Sequence, residues 1–483
     1  MIRPADNPRW PGRRTEAAAL FLILVVAAFF RLNQIDRIPP GFTHDEADHG
    51  HDAVAILNGA RPIYETVGYG REPLYDYIVA MLMPLLGGPH YLALRLTSVL
   101  AGLLLIVIAH FWIRRSFDVP IALLTSAGLA VSFWAISTDR QALRSALLPT
   151  LFTVAVLFAW QAVKPYSLNK LTGLSQRTLR IGSYLIAGLF ICLTLYTYLA
   201  ARVLPGMFVL LWIYLLLFHR SVWKENWWGI IGMIAIGAAL ALPMFTYLSA
   251  HPGAEYRFTQ LSGPIDRLFA GNPNELLANI FSALGMFTVS GDTLSLYNNP
   301  GQPILNWALG GMFYIGIVIS FIRFRKIEYA FAIFWLMVAI FPSLLTGVVA
   351  SNLRSIAAQP VVYLFVAIGL VEAVRFFDRV IESHTLRSIP LIALLAATTI
   401  YAYHDYFDVW GQARDVRVAY HTTLVEVAHY LDRSTSDQLV VGISSIYPNR
   451  FHDPASMQML LQRRDLSLHW FTAAFVDMDS VPH

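Results

Sequence analysis

Long apolar runs separated by short polar breaks set the pattern of this chain. A membrane-crossing helix needs about 20 mainly apolar residues, and such runs lie at 15–32, 92–114, 119–137, 146–163, 181–200, 203–218, 229–248, 303–322, 328–346, 357–376 and 388–403. A further stretch, PLYDYIVAMLMPLLGG at 73–88, is shorter, carries Asp76 and Pro84, and ends in Gly-Gly. Positive charge decides its role. If 73–88 crossed the membrane, WIRRS (112–116), the loop from Lys164 to Arg180 and HRSVWK (219–224) would all face outward. If it lies in the interface, those three loops, RFRK (323–326) and HTLR (384–387) face the cytoplasm, where loops collect Lys and Arg. The reading is eleven spans, a cytoplasmic amino terminus, and 73–88 as an interfacial helix.

Composition fits that picture. Of 483 residues 56% are hydrophobic and 14% charged, and the mean hydropathy is +0.54, far above an ordinary soluble protein. The net charge of +4 comes from the clusters between spans, so it reports topology and not a nucleic-acid partner. Cys192, alone and inside an apolar run, excludes an intrachain disulfide and a cysteine-based zinc site. The first run follows NPRWPGRR without a small-residue cleavage site, so a retained anchor is expected. Residues 1–403, without internal repeats, read as one all-α membrane domain. From 404 the pattern changes: an amphipathic helix near 416–432, a strand-like QLVVGIS, a helix near 454–463 and a strand-like LSLHWF predict a small extracytoplasmic α/β tail, 404–483. Two strands make a marginal sheet, so the tail is either incomplete or docked on the membrane domain.

Polar residues gather on the external side of this topology. The loop after the first span contains GFTHDEADHGHD, in which Thr43 and Glu46 form a capping-box pattern that opens a helix over about 44–58. On that helix Asp45, Asp48, His49 and Asp52 share a face. Such a charge run commonly marks a solvated face; ionisable groups at a membrane are also costly and commonly functional. The other external turns offer Arg71 and Glu72; Asp139, Arg140 and Arg144; Tyr196, Tyr198 and Arg202; Asn352 and Arg354. One such arginine is ordinarily an interface anchor. Several on one side make an anion site, because guanidinium grips phosphate in forked geometry and stays charged. Carboxylates together with phosphate-binding arginines at a membrane surface suit displacement of a lipid phosphate. Asp45, His49 and Asp52 also have a loose divalent-metal spacing, so a metal cofactor is an open expectation. The long loop 249–302 adds Tyr256, Arg257, Asp292 and Tyr297 as candidates for a sugar or acceptor pocket.

The acidic pair Asp45-Glu46 after span one, GREPLYDY from Gly70, LRLTSVLAGLL from Leu94, STDRQALRSALLP from Ser137 and SNLRSIAAQP from Ser351 resemble, in order and position, the protein mannosyltransferase and aminoarabinose-transferase-like branch of the GT-C glycosyltransferases. The resemblance covers roughly residues 15–403. It implies a GT-C bundle with interfacial helices in the first external loop. It also implies an enzyme that moves a sugar from a polyprenyl-phosphate donor to a hydroxyl acceptor outside the cytoplasm, usually with inversion. The family's acidic pair falls on Asp45 and Glu46, the general-base candidates. Arg71, Arg140, Arg144, Arg202 and Arg354 become candidate ligands of the donor phosphate. Asp48, His49, Glu72, Asp139, Tyr198, Tyr256, Arg257, Asp292, Tyr297 and Asn352 become candidate pocket residues. Two departures stand out: Ser145 occupies the place of a second acid, whose role would pass to Asp139 or be absent, and Arg-Glu stands in GREP where the family more usually has Pro-Pro or Lys-Pro. The rival function is a transporter or flippase of a lipid-linked sugar. Transport calls for ionisable groups near the bilayer midplane and polarity on both faces, and this chain is polar on one side.

Overall fold

The computed structural model describes residues 12–66, 69–164, 175–256, 262–377, 384–434, 440–446 and 452–472. Each of the eleven expected spans holds a helix. Among the described residues, eight helices are long and apolar enough to cross a membrane, from α1 (Arg13–Leu32) and Tyr91–Ser116 to Ile356–Phe376. Helix Trp307–Ile322 is apolar but shorter, and the segment 119–137 forms a bent pair, Val119–Val131 and Phe133–Asp139, at 59°. The apolar helix Leu74–Leu86 is about 20 Å long at 1.5 Å per residue, short of a hydrocarbon core of about 30 Å. Gly87 ends it in the left-handed region at φ 101°, a conformation that glycine adopts without strain.

The bend in the third span has an identifiable cause. Ser132 stops the first half and its hydroxyl caps the second by accepting from Ala135 N. The carbonyls of Leu129 and Ala130 thereby lose intrahelical donors. Arg31 of α1, 1% exposed, supplies replacements: its Nη2 and Nη1 donate to Leu129 O and Ala130 O at 3.2 and 3.1 Å. The same side chain pairs with Asp139 at 2.8 Å, fixing the end of the second half.

The loop between α1 and the next long helix, Tyr91–Ser116, folds on the tail. α2 (His44–Leu57) opens with the capping box expected for it: Thr43 Oγ1 accepts from Glu46 N, and Glu46 Oε2 accepts from Thr43 N at 2.9 Å. α3 (Leu74–Leu82) packs beside it, and both bury apolar residues against the tail helices Thr422–Arg433 and His452–Leu460. The expected helix over 416–432 is interrupted: Arg414–Ala419 ends, His421 takes a positive φ of 51°, and Thr422–Arg433 restarts. Strands β1 (Val440–Ser445) and β2 (Ser467–Thr472) pair in parallel, with Val440 opposite Ser467, across the helix His452–Leu460. The tail is tied to the loop by Phe42 N donating to Tyr420 O at 2.7 Å, by the pairing of His44 Nε2 with Asp453 Oδ1 at 3.2 Å, and by Arg464 donating to Pro89 O at 2.9 Å. Gly41 lies so close to Tyr420 that a Cβ would sit 1.9 Å from its carbonyl oxygen.

Candidate active site

α2 divides its ionisable residues among three surroundings. Glu46, 1% exposed, points inward: besides the cap, its Oε1 accepts from Ala142 N at 3.0 Å and from Arg95 Nε at 3.3 Å. Arg95 also donates to Ile35, Pro39 and Gly41 carbonyls. Glu46 therefore clamps three segments of chain, with both oxygens used. Asp48 and Asp52 turn sideways to Arg71, which donates to them at 2.6 and 2.5 Å. Burial beside the carboxylates of Asp52 and Asp76 pushes neighbouring Glu65 up to about 7.

Asp45 and His49 face a cavity of about 400 Å³. The wall is largely apolar, including Leu143, Leu199, Leu294, Phe341, Leu345 and Leu353. Arg144, Arg202 and Arg354 line it, with Ser145, Tyr198 and Tyr297. Among the described residues Asp45 makes no hydrogen bond or ion pair, and it is exposed. Arg144 and Arg202 lie at 3.2 and 3.5 Å from the two oxygens of buried Glu72, and Arg202 also pairs with Glu255. Arg144 lies over the Tyr198 ring at 5.7 Å. Glu72 thus holds two guanidiniums against the cavity from behind. Arg354 Nη1 reaches Thr346 O at 3.4 Å.

Several expected residues lie elsewhere. Arg140, wholly buried, is not on the cavity: it donates to Phe30 O and Ile38 O at 2.7 and 2.5 Å and packs on the Tyr406 and Phe407 rings. Asp139 is spent on Arg31, while Ser145, at the position of the second acid, does reach the cavity. Arg71 is occupied by Asp48 and Asp52 and does not line the cavity. Asp292 is a structural brace, accepting from the backbone nitrogens of Leu294, Ala350 and Asn352 at 2.9 to 3.1 Å. Asn352 Nδ2 donates to Tyr297 O at 3.3 Å. Tyr256 is exposed and stacks on Tyr69 at 6.1 Å, and Arg257 lies outside the described residues. The metal set Asp45, His49 and Asp52 is not assembled, because Asp52 is turned to Arg71 and His49 Nδ1 to Asp76. Among the described residues no three His, Cys, Asp or Glu side chains are grouped to hold a metal ion.

Two features escaped the sequence reading. Leu294 and Ser262 bring the long loop to the cavity, yet no pattern marks them. Asp76 lies directly behind His49, with Nδ1 to Oδ1 at 2.6 Å. Its signal was a single carboxylate in an apolar segment, a costly placement that calls for a partner.

The bundle as a whole, from the first helix to the tail, has a fold that recurs among solved membrane proteins. Among solved structures the chain is similar to the Archaeoglobus fulgidus oligosaccharyltransferase AglB, in complex with an inhibitory peptide and a dolichol-phosphate. There the TM-score is 0.55 and the identity 14%, over 92% of this chain and 63% of the other. It is also similar to ArnT from Cupriavidus metallidurans bound to undecaprenyl phosphate, with TM-score 0.54 and 12% identity, over 94% of this chain and 87% of the other. The chain thus spans less than two thirds of the archaeal enzyme's length. No family model and no curated protein matches its sequence.

Proposed function

We propose that this chain is a membrane glycosyltransferase. It moves a sugar from a polyprenyl-phosphate donor to an acceptor hydroxyl on the extracytoplasmic side, with inversion at the anomeric carbon. The observation that carries the reading is one largely apolar cavity that presents an uncommitted carboxylate, Asp45, together with Arg144, Arg202 and Arg354. The apolar wall suits the first isoprene units and the guanidiniums suit the phosphate. Dolichol-phosphate and undecaprenyl phosphate in the two similar structures support that donor class.

The chemistry follows from the placement. The acceptor oxygen attacks the anomeric carbon while its proton passes to Asp45. The bond from that carbon to the phosphate oxygen breaks, and the electron pair stays on the phosphate. The arginines stabilise this developing charge more than they stabilise the bound donor, which is what lowers the barrier. Glu46 supports the base by fixing the start of α2, since its own oxygens are already engaged.

The test is transfer by purified protein in liposomes from a panel of radiolabelled polyprenyl-phosphate sugars to hydroxyl acceptors. Wild type should release carrier phosphate. Asp45→Asn should bind donor with turnover lowered by about 10²- to 10⁴-fold, the usual range for a lost proton acceptor. Unchanged turnover in that variant removes Asp45 as base, and movement of intact donor across the bilayer without cleavage replaces the enzyme with a flippase. Labelling of Lys164 by an impermeant reagent from outside would reverse the proposed orientation.

A further inference from the structure

The proposed reaction assigns Asp45 to the acceptor, but the cavity holds a second proton-handling unit. His49, one helical turn beyond Asp45, lines the same cavity and is 1% exposed. Its Nδ1 is taken by Asp76 Oδ1 at 2.6 Å, while Nε2 has no hydrogen bond among the described residues, so Nε2 is the atom left for a ligand. Asp76 is completely buried, and its second oxygen has no partner among the described residues. An ionised carboxylate in that position would be uncompensated on one side. Resting on the glycosyltransferase reading, we propose that His49 is the general acid of the reaction. It gives its Nε2 proton to the phosphate oxygen that leaves the anomeric carbon, and Asp76 positions the ring and supplies the replacement proton to Nδ1.

Electrostatics supports the direction of transfer. Burial, followed by the guanidiniums of Arg71 and Arg144, disfavours the charged form of His49 and holds its imidazolium well below the ordinary histidine range. Burial raises the Asp76 carboxyl well above the usual range, against the pull of Arg71 and Arg144 and with help from Asp48. Both directions favour a neutral imidazole beside a carboxyl that keeps its proton. Wherever that proton sits along the 2.6 Å bond, Nε2 presents an N–H to the cavity. His49 lines the same cavity as Arg144, Arg202 and Arg354, the arginines that would hold the phosphate.

The step balances. The acceptor O–H bond breaks, its proton going to Asp45, and the acceptor oxygen bonds to the anomeric carbon. The carbon–oxygen bond to phosphate breaks with its electron pair on oxygen, which takes the Nε2 proton. Asp76 passes its proton to Nδ1 and becomes a carboxylate. Asp45 then carries one extra proton and the pair lacks one. Return of that proton between two residues one turn apart resets the site.

His49→Gln and Asp76→Asn, assayed in liposomes with a polyprenyl-phosphate sugar that wild type uses, test this. Gln keeps an N–H but cannot give up a proton, so donor binding should stay within about threefold while turnover falls by about 100-fold. In wild type the rate should fall as pH rises through the titration of the pair, because the acid must be protonated. In Asp76→Asn that alkaline limb should disappear while donor binding persists. A structural role would lower the whole profile without changing its shape. Turnover of His49→Gln within threefold of wild type, or an alkaline limb retained in Asp76→Asn, overturns the proposal. Should Asp76→Asn fail to fold, the His49→Gln result decides alone. No sugar transfer by wild type from any such donor is the failure of the glycosyltransferase reading instead. Loss of turnover in Asp45→Asn beside a normal His49→Gln rejects the acid alone.

Discussion

The seam between α1 and the kinked third span, and the wall of the cavity a few residues away, are built from the same two residue types, yet their polar atoms are used differently. In the seam Arg31, Asp139 and Arg140 are buried, and carbonyls or an opposite charge meet them. On the wall Asp45 makes no hydrogen bond or ion pair among the described residues, and Arg144 and Arg202 share Glu72 behind them, with Arg202 also paired to Glu255 and the two guanidiniums lying over the Tyr198 and Phe245 rings. Arg140 and Arg144 show the contrast within four residues. A helical reading would put them on one face, but helix Phe133–Asp139 ends before Arg140 and the next helical turn starts at Arg144, so the two diverge. Charge met by carbonyls or an opposite charge inside the protein braces a fold; charge left open on an accessible wall is available to bind.

The largest effect that sharpens this contrast is expected from Asp139→Ala. It leaves Arg31 buried without its anion, at a cost of about 3–5 kcal/mol. Thermal unfolding in detergent or lipid should show a large loss, and a melting temperature close to wild type would mean the seam is not braced in this way. Arg144→Gln should do the reverse: donor affinity lower by about 10- to 100-fold, the value of a lost charge-assisted hydrogen bond, with a much smaller shift in melting temperature. Equal effects on both readouts would erase the distinction between seam and wall. Thr43→Ala removes the cap of α2 and should cost about 1 kcal/mol, measurable as faster hydrogen exchange over 44–48.

The smallest effect concerns the tail. Burial lowers His44, with His452 adding to it against Asp453 and Asp48, and burial next to His44 lowers His421 to about 4. The folded form thus binds fewer protons than the unfolded one below the ordinary histidine value near 6.5. Stability from these contacts is complete above that value and is lost as pH falls from about 6.5 toward 4. Proteolysis of the tail should accelerate between pH 7.5 and 5, and His421→Asn should flatten the change. Identical rates at both pH values would show that these histidines do not couple to docking.

The spans were readable because a helix of about 20 apolar residues has few alternatives in a bilayer. The cap of α2 was readable because Thr43 and Glu46 act over three residues. The kink at Ser132 was not, because the donors that meet the carbonyls it frees come from Arg31, about a hundred residues upstream. Spacing alone placed Asp45, Asp48, His49 and Asp52 on one face. Partners on other segments then split that face, with Arg71 drawing two of them away and Asp76 taking the nitrogen of a third. Glu46 stood behind Asp45 as a second candidate base, and the cap, Arg95 and the Ala142 amide take up its oxygens.

Gly41 carries a final consequence. Its carbonyl accepts from Arg95, and its missing side chain lets the turn at Tyr420 press against the segment that leads into α2. A single methyl group there would have to push that turn outward, loosening the grip of the tail on the loop that bears Asp45. An engineer wishing to uncouple the last eighty residues from the machinery beneath them has, in that one position, the smallest available crowbar.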